Sequence, residues 1–230
     1  MRLTVRHHFD FGADREVVGD DLVRPDAWDA LRTRTSGAFA LAETREEWER
    51  TADAHRELEA RAQRLDAVFA RREARRVASY GAGGATLECW LARVAPEREL
   101  VVTDYAPATI ERLRPIFPEA ECVVHDLSTD PPLDADLHLF HRIDTEFDNV
   151  RWQEVFARFA GVPVVLVAAG QVDLRGALAE VRKGRRPGAS RAGWVRTQAA
   201  IEALWRQTHR SEPVDVGDLP AWELQPKVPS

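Results

Sequence analysis

The order of apolar and polar residues predicts alternating strands and helices from residue 76 onward. Short apolar runs, typical of strands buried in a parallel sheet, occur at 77–80, 99–103, 121–124, 135–140 and 162–169. The segments between them carry apolar residues at helical spacing, as in Trp152, Val155, Phe156 and Phe159. Strands that alternate with helices predict a doubly wound α/β domain with a mostly parallel sheet.

The two ends of the chain follow other patterns. Before residue 76, a helix is expected near 28–34, and apolar residues at helical spacing behind the capping box at Thr44 predict one long helix or two joined helices over 45–74. At the other end, the segments 214–216 and 221–224 predict a strand hairpin, which makes seven strands in all. We therefore predict a helical cap over 1–75 and a nucleotide-binding domain over 76–230.

A glycine-rich turn, 81–84, connects the first predicted strand to a helix that opens at 85–88. Glycine lets the backbone turn sharply and approach a ligand closely, and the start of a helix presents unpaired N–H groups. The second strand ends in Asp104, and the third is followed by Asp126. Because the carboxyl ends of parallel strands meet at one edge of the sheet, these acids are expected beside the glycine loop.

These three loops, in this order, resemble class I S-adenosylmethionine-dependent methyltransferases over residues 76 to about 170. The resemblance implies a glycine loop under the adenosine and methionine, an acid that holds the ribose hydroxyls and a second acid that reaches the adenine amino group. It also implies a small-molecule acceptor, a last strand inserted antiparallel, and a helical lid before the domain. The implied cofactor residues are Ser79, Gly81, Gly83, Gly84, Asp104 for ribose, Tyr105, Asp126 for adenine, and Leu127.

One position departs from the family pattern. The family usually has Asp or Glu two residues before the first glycine, where it commonly helps to hold the ammonium group of the cofactor, and this chain has Ser79. A protein that kept the fold and lost turnover, as a cofactor-binding or scaffolding protein, is therefore an alternative.

A second alternative is an NAD(P)-linked oxidoreductase. Asp104 lies 20 residues after Gly84, and an acid at about that distance also binds the ribose of NAD. The spacing alone does not separate the two cofactors, and the terminal hairpin favours the methyltransferase. Asp126 has its own alternative as a helix cap or turn residue.

His141 is the candidate general base, because it follows the fourth strand at the edge where ligands bind in open α/β sheets. The nearby Asp144 could hold the tautomer of its ring, and an unperturbed pKa near 6.5 would make the rate fall as the pH drops. A structural role for His141 is the alternative. The acids Asp144, Glu146 and Asp148 show no recognised ligand spacing, and no metal is expected.

Composition and charge limit the classes of protein and of partner that remain. With 32 basic and 38 acidic residues, the net charge of -6 gives no general attraction to nucleic acid. Neither a membrane span nor a signal peptide is indicated, so a cytoplasmic protein is expected. Cys89 and Cys122 lack metal-ligand spacing and are interpreted as buried thiols. The expected partner is a small-molecule substrate, with a homodimer left open.

Overall fold

The computed structural model describes residues 1–12, 16, 25–34 and 39–227. Its helices are α1 (Pro25–Arg32), α2 (Arg45–Ala54), α3 (Glu57–Arg71), α4 (Thr86–Val94), α5 (Pro107–Ile116), α6 (Asn149–Arg158), α7 (Leu174–Lys183) and α8 (Gln198–Glu202). Its strands are β1 (Thr4–Phe9), β2 (Arg76–Tyr80), β3 (Glu99–Asp104), β4 (Glu121–Val124), β5 (Leu137–His141), β6 (Val164–Val167), β7 (Ser190–Arg196), β8 (His209–Pro213) and β9 (Ala221–Pro226).

Seven of these strands form the main sheet, in the order β4-β3-β2-β5-β6-β9-β8. The first five strands in this order pair in parallel, and β9 is inserted antiparallel between β6 and the edge strand β8. The prediction of a doubly wound, mostly parallel seven-stranded sheet with a terminal antiparallel hairpin is confirmed. Because β2 is central and strand order reverses beside it, the crevice for a ligand lies where β2, β3 and β5 end.

The first strand of the hairpin lies elsewhere than predicted. The sequence analysis placed it at 214–216, whereas β8 spans His209–Pro213. Residues 214–216 lie in the connection to β9, where the Asp215 carboxylate accepts a hydrogen bond from the Gly217 amide at 3.0 Å. Such side-chain bonds to the following backbone are typical of turns.

A second, two-stranded sheet was not predicted. In it, β1 pairs antiparallel with β7. The buried positions of β7 are Ser190, Gly193 and Arg196, so the strand has no buried apolar side to reveal it. The two strands β1 and β7 are also far apart in the sequence, so no local pattern predicts that they pair.

Two of the N-terminal helices, α2 and α3, share a hydrophobic cluster with the main sheet. Residues 45–74 form two joined helices, and Thr44 caps the first by accepting a hydrogen bond from the Glu47 amide at 3.2 Å. Trp48 and Phe69 are buried in the same hydrophobic cluster as Leu87 of α4 and Val102 of β3. One cluster thus extends across residue 75, and the division into a cap and a cofactor domain stays a prediction.

Two further sequence expectations can be compared with the structure. Cys89 and Cys122 are buried free thiols, as interpreted. The helical spacing of Leu174 and Leu178 predicts an inward face of α7, whereas both side chains are about half exposed, at 53% and 51%. Within the described ranges, no helix has the length and apolar character to cross a membrane.

Candidate functional site

A cavity of about 700 Å³ opens at the carboxyl ends of β2, β3 and β5. It is bounded below by the glycine loop and on one side by the end of β3. The loop after β5 and the N-terminal segment complete the walls. Of the predicted site residues, those that line it are Gly81, Gly83, Gly84, Asp104, Tyr105 and His141. The predicted residues Ser79, Asp126 and Leu127 do not line the cavity.

Two glycines of the loop adopt backbone conformations that other residues rarely take. Gly81 has φ of 66° and Gly83 has φ of 56°. A Cβ atom at Gly81 would lie 2.6 Å from Cγ2 of Ile143, and one at Gly83 would lie 2.8 Å from Nη2 of Arg32. A side chain at either position would collide with Ile143 or Arg32, both of which line the cavity, so these two positions require glycine.

The glycine loop is also tied to its neighbours by hydrogen bonds. The indole N–H of Trp48, on α2, donates to the Gly84 carbonyl at 2.9 Å. The Asp104 carboxylate accepts from the Gly83 amide through Oδ2 and from the Ala106 amide through Oδ1, both at 2.9 Å. These bonds join the loop to the end of β3.

Asp104 keeps capacity for a ligand despite these two bonds. Each carboxylate oxygen offers about two acceptor positions, so two positions stay free for hydroxyl donors. The side chain is 6% exposed, and burial raises its pKa above the ordinary aspartate value. A hydroxyl pair that donates to it would offset part of that desolvation.

Ser79 lies beneath the loop, where it holds a second carboxylate. Its hydroxyl donates to Oε1 of Glu88 at 2.6 Å, and both residues are buried. Glu88 lines the cavity, and burial, together with the nearby Asp104 charge, raises its pKa to about 6. The sequence analysis missed Glu88, since an acid in the first turn of a helix is common and its side chain usually faces water.

Asp126 and Leu127 stay predictions. The Asp126 carboxylate accepts from the Ser128 amide at 2.8 Å, as in a turn, and the Asp126 amide donates to Oδ2 of Asp130 at 2.9 Å. Leu127 packs in the core behind the cavity. Burial, followed by the charges of Glu146 and Asp104, raises the pKa of the Tyr105 phenol, and the half-buried Asp126 adds the smallest contribution to this rise.

His141 lies in the cavity wall, at the carboxyl end of β5. Its Nε2 is 3.5 Å from Nη1 of Arg61, a buried side chain of α3 that also pairs with Asp218 at 2.5 Å. Burial, aided by the cations of Arg61 and Arg142, lowers the pKa of His141 to about 3. The ring is therefore neutral at physiological pH, and the unperturbed pKa near 6.5 does not apply to it.

Asp144 does not hold the His141 ring. Its Oδ1 accepts from the Ala169 amide at 2.6 Å, and its backbone carbonyl accepts from the Trp152 indole at 3.1 Å. The same carbonyl accepts from Arg196, which is fully buried and anchors the segment after β5. Asp144 and Arg196 thus fix the loop that follows His141.

The N-terminal segment supplies an aromatic wall that the sequence analysis did not foresee. Phe9 and Phe11 are in edge contact at 4.9 Å between ring centroids, and Phe39 lies 5.9 Å from Phe11 and 5.7 Å from Trp28. All four rings line the cavity. Such surfaces favour flat, apolar ligand groups. A local signal existed in the aromatic spacing at 9 and 11, but its placement depends on pairing with β7.

Charged groups lie between this wall and the glycine loop. The Arg32 guanidinium, on α1, lies next to Gly83, where it would meet an added Cβ atom, and it is close to Asp104 and Glu146. Glu146 is half-buried, and desolvation followed by the Asp104 charge raises its pKa to about 7. Among the residues with described positions, no group of three or more His, Cys, Asp or Glu side chains could hold a metal ion.

These features fit the cofactor that the sequence resemblance implies. The glycine loop lines the cavity and lets a ligand approach the backbone closely, and Asp104 offers free acceptor positions at the end of β3. The buried Glu88 carboxylate faces the same cavity. Two anionic groups beside a glycine loop suit a ligand with hydroxyl and cationic groups.

Comparison with known proteins gives matches in structure. No model of a known protein family matches the chain, and no curated protein matches its sequence. Human N-acetylserotonin methyltransferase, solved in complex with S-adenosylmethionine, is similar with a TM-score of 0.59 and 15% identity, over 80% of this chain and 57% of that one. An O-methyltransferase family protein from Burkholderia thailandensis is similar with a TM-score of 0.58 and 17% identity, over 95% and 64%.

A third similar structure is the O-methyltransferase NcsB1 from neocarzinostatin biosynthesis, solved with S-adenosylhomocysteine and 1,4-dihydroxy-2-naphthoic acid. Its TM-score is 0.55 at 18% identity, over 68% of this chain and 50% of that one. This chain thus spans between half and two thirds of the length of these three proteins. The protein has the class I S-adenosylmethionine-dependent methyltransferase fold.

Proposed function

We propose that the protein binds S-adenosylmethionine and transfers its methyl group to an oxygen or nitrogen of a small molecule. The observation that carries this proposal is the juxtaposition of the glycine loop and the Asp104 carboxylate at the floor of one cavity. The inserted strand β9 supports it over an NAD(P)-linked oxidoreductase, whose sheet does not ordinarily end in this way.

We assign four kinds of contact to the half of the cavity that binds the cofactor. Gly81 and Gly83 allow the ligand to lie against the backbone, and Asp104 accepts hydrogen bonds from the ribose hydroxyls. Asp126, with Leu127, is assigned to the adenine edge, and Tyr105 to the wall beside it. When bound, S-adenosylmethionine supplies an electrophilic methyl group.

The methyl acceptor is assigned to the other half of the cavity, which is formed by the aromatic wall and the end of β5. Phe9, Phe11, Trp28 and Phe39 hold a flat acceptor by apolar contact and limit access of water. N-acetylserotonin, in the name of one similar protein, and the dihydroxynaphthoic acid bound in another structure both carry flat rings, which agrees with such a wall.

His141 is assigned as the general base. Its pKa, lowered to about 3, keeps the ring neutral but makes it a weak base, so it takes up the proton only as methyl transfer makes the acceptor hydroxyl or amine strongly acidic. Holding the acceptor in line with the methyl group provides the rest of the rate increase, and this requires positioning more than acid–base chemistry.

Calorimetric titration with S-adenosylmethionine, S-adenosylhomocysteine and NADH, in parallel, tests this function. Binding of both sulfur compounds without binding of NADH is the expected result. Incubation with methyl-labelled S-adenosylmethionine and a set of phenols and aryl amines then tests transfer. Binding without transfer to any acceptor would favour a cofactor-binding scaffold protein, and binding of NADH alone would favour an oxidoreductase.

A further inference from the structure

Glu88 is a buried carboxylate that lacks a cationic partner. It lies in the first turn of α4, just beyond the glycine loop, and is 2% exposed. Oε1 accepts the Ser79 hydroxyl at 2.6 Å. In the ranges that the structure describes, no Lys, Arg or His side chain forms an ion pair with it. Since taking a charge out of water is costly, a group in this position is normally paired with a cation.

The unpaired carboxylate faces the cavity. Glu88 is among the lining residues, together with Gly81, Gly83 and Gly84, whose loop begins two residues after Ser79. Its pKa of about 6 leaves it mainly ionised at neutral pH. The Ser79 hydroxyl and the Glu88 backbone amide take two of the roughly four acceptor positions, so a ligand on this floor meets a negative charge with positions still free.

We infer that the Glu88 carboxylate, oriented by the Ser79 hydroxyl, binds the primary ammonium group of the methionine part of the cofactor. This inference rests on the proposed function and assigns one residue within it. Position 79 bears a hydroxyl where an acid would point toward the ligand, and Glu88 brings a carboxylate to the same place from the next helix. The small serine side chain leaves the space that the Glu88 side chain fills.

An ammonium group suits this carboxylate better than the sulfonium centre does. Ammonium has three N–H donors, which can satisfy the acceptor positions that Ser79 leaves free. A sulfonium centre has charge but no donor hydrogen, so it would leave a buried carboxylate with unmade hydrogen bonds. S-adenosylhomocysteine retains the ammonium and lacks the sulfonium, and 5′-methylthioadenosine lacks both.

These ligands allow a direct test in the intact chain. Dissociation constants of S-adenosylmethionine, S-adenosylhomocysteine and 5′-methylthioadenosine are measured for the parent, for Glu88→Gln and for Asp104→Ala. We expect Glu88→Gln to weaken S-adenosylhomocysteine by about 10- to 100-fold, since it removes a buried charge-assisted hydrogen bond. Binding of 5′-methylthioadenosine should change by less than about twofold. Asp104→Ala should weaken both ligands, because both contain the ribose.

Each of the other outcomes contradicts one part of the inference or the proposed function itself. Equal losses for S-adenosylhomocysteine and 5′-methylthioadenosine in Glu88→Gln would make Glu88 a structural support, and loss for S-adenosylmethionine alone would assign it to the sulfonium. If the parent binds none of the three, the proposed function itself fails. If Glu88→Gln does not fold by thermal denaturation, Glu88→Asp keeps the charge one methylene further back, and the same selective loss for S-adenosylhomocysteine is expected.

Discussion

Replacing Asp104 by alanine removes two kinds of interaction at once. The structure shows hydrogen bonds from the Gly83 and Ala106 amides to the carboxylate, both at 2.9 Å and both buried. The proposed function adds the two ribose hydroxyls of the cofactor. The variant should therefore lose stability without any ligand and lose affinity in addition.

The sizes of the two effects follow from these contacts. A hydrogen bond to a charged group contributes about 1.5–3 kcal/mol, so two of them contribute about 3–6 kcal/mol. The alanine variant also removes the cost of burying the carboxylate, which is visible as its raised pKa. We expect a net loss of about 2–4 kcal/mol in the free energy of unfolding. The affinity for S-adenosylhomocysteine should fall by about 1.5–3 kcal/mol.

Urea denaturation and calorimetric titration measure these quantities. Glu99→Gln is the matched control, since Glu99 begins the same strand, is exposed, and forms a surface ion pair with Arg76 at 3.2 Å. It should change both quantities by less than about 1 kcal/mol. An Asp104→Ala protein as stable as the parent would refute the loop anchoring. A folded variant with unchanged affinity would refute the ribose assignment.

Four further predictions follow. Asp126→Ala should weaken S-adenosylhomocysteine about tenfold if the carboxylate reaches adenine; lower stability with unchanged affinity would assign it to the turn alone. His141→Asn should lower turnover by roughly 10²–10⁴ with cofactor affinity nearly intact. In the parent, no loss of rate attributable to His141 is expected between pH 8 and pH 5, because its pKa is about 3, and a loss near pH 6.5 that the Asn variant lacks would contradict this. The raised pKa of Glu146, about 7, means that the native state binds its proton more tightly than the unfolded chain, so its contribution to stability falls as the pH rises from about 4.5 through 7. Glu146→Gln should thus be more stable than the parent by about 1–3 kcal/mol at pH 8 and not at pH 4, and equal stability at both would show that the carboxylate is not desolvated. Finally, S-adenosylhomocysteine should slow hydrogen exchange in 44–74, whose residues Leu58 and Arg61 line the cavity, and unchanged exchange there would make these helices a fixed structural cap.

The sheet and its glycine loop could be predicted from sequence because their determinants are local. A strand buried on both faces needs a continuous apolar run, and Val164–Val167 is such a run. The turn at Gly81 and Gly83 requires positive φ, which restricts the residue type. Asp104 follows from its place at the end of β3.

The remaining parts of the site depend on contacts between distant segments. The strand β7 buries Ser190 and Arg196, and its partner β1 lies at the other end of the chain, so no apolar period marks it. The aromatic wall is placed by that pairing. The inward orientation of Glu88 depends on the hydroxyl and small volume of Ser79, nine residues earlier.

The electrostatic environment of His141 also depends on distant segments, so it could not be predicted from the sequence. Its position could be predicted, since β5 ends at the crevice. Its pKa could not, because the lowering arises from burial in the cavity wall and from Arg61, which α3 contributes from eighty residues away. The sequence also suggested Asp144 as its partner, whereas Asp144 binds the Ala169 amide.

A crystal structure of the protein with S-adenosylhomocysteine tests the central claim most directly. The proposal predicts the ligand on the glycine floor, with ribose hydroxyls about 2.6–3.0 Å from the Asp104 carboxylate and the ammonium group about 2.7–3.0 Å from that of Glu88. Electron density for the ligand outside this cavity, or its absence at saturating concentration, would contradict the claim.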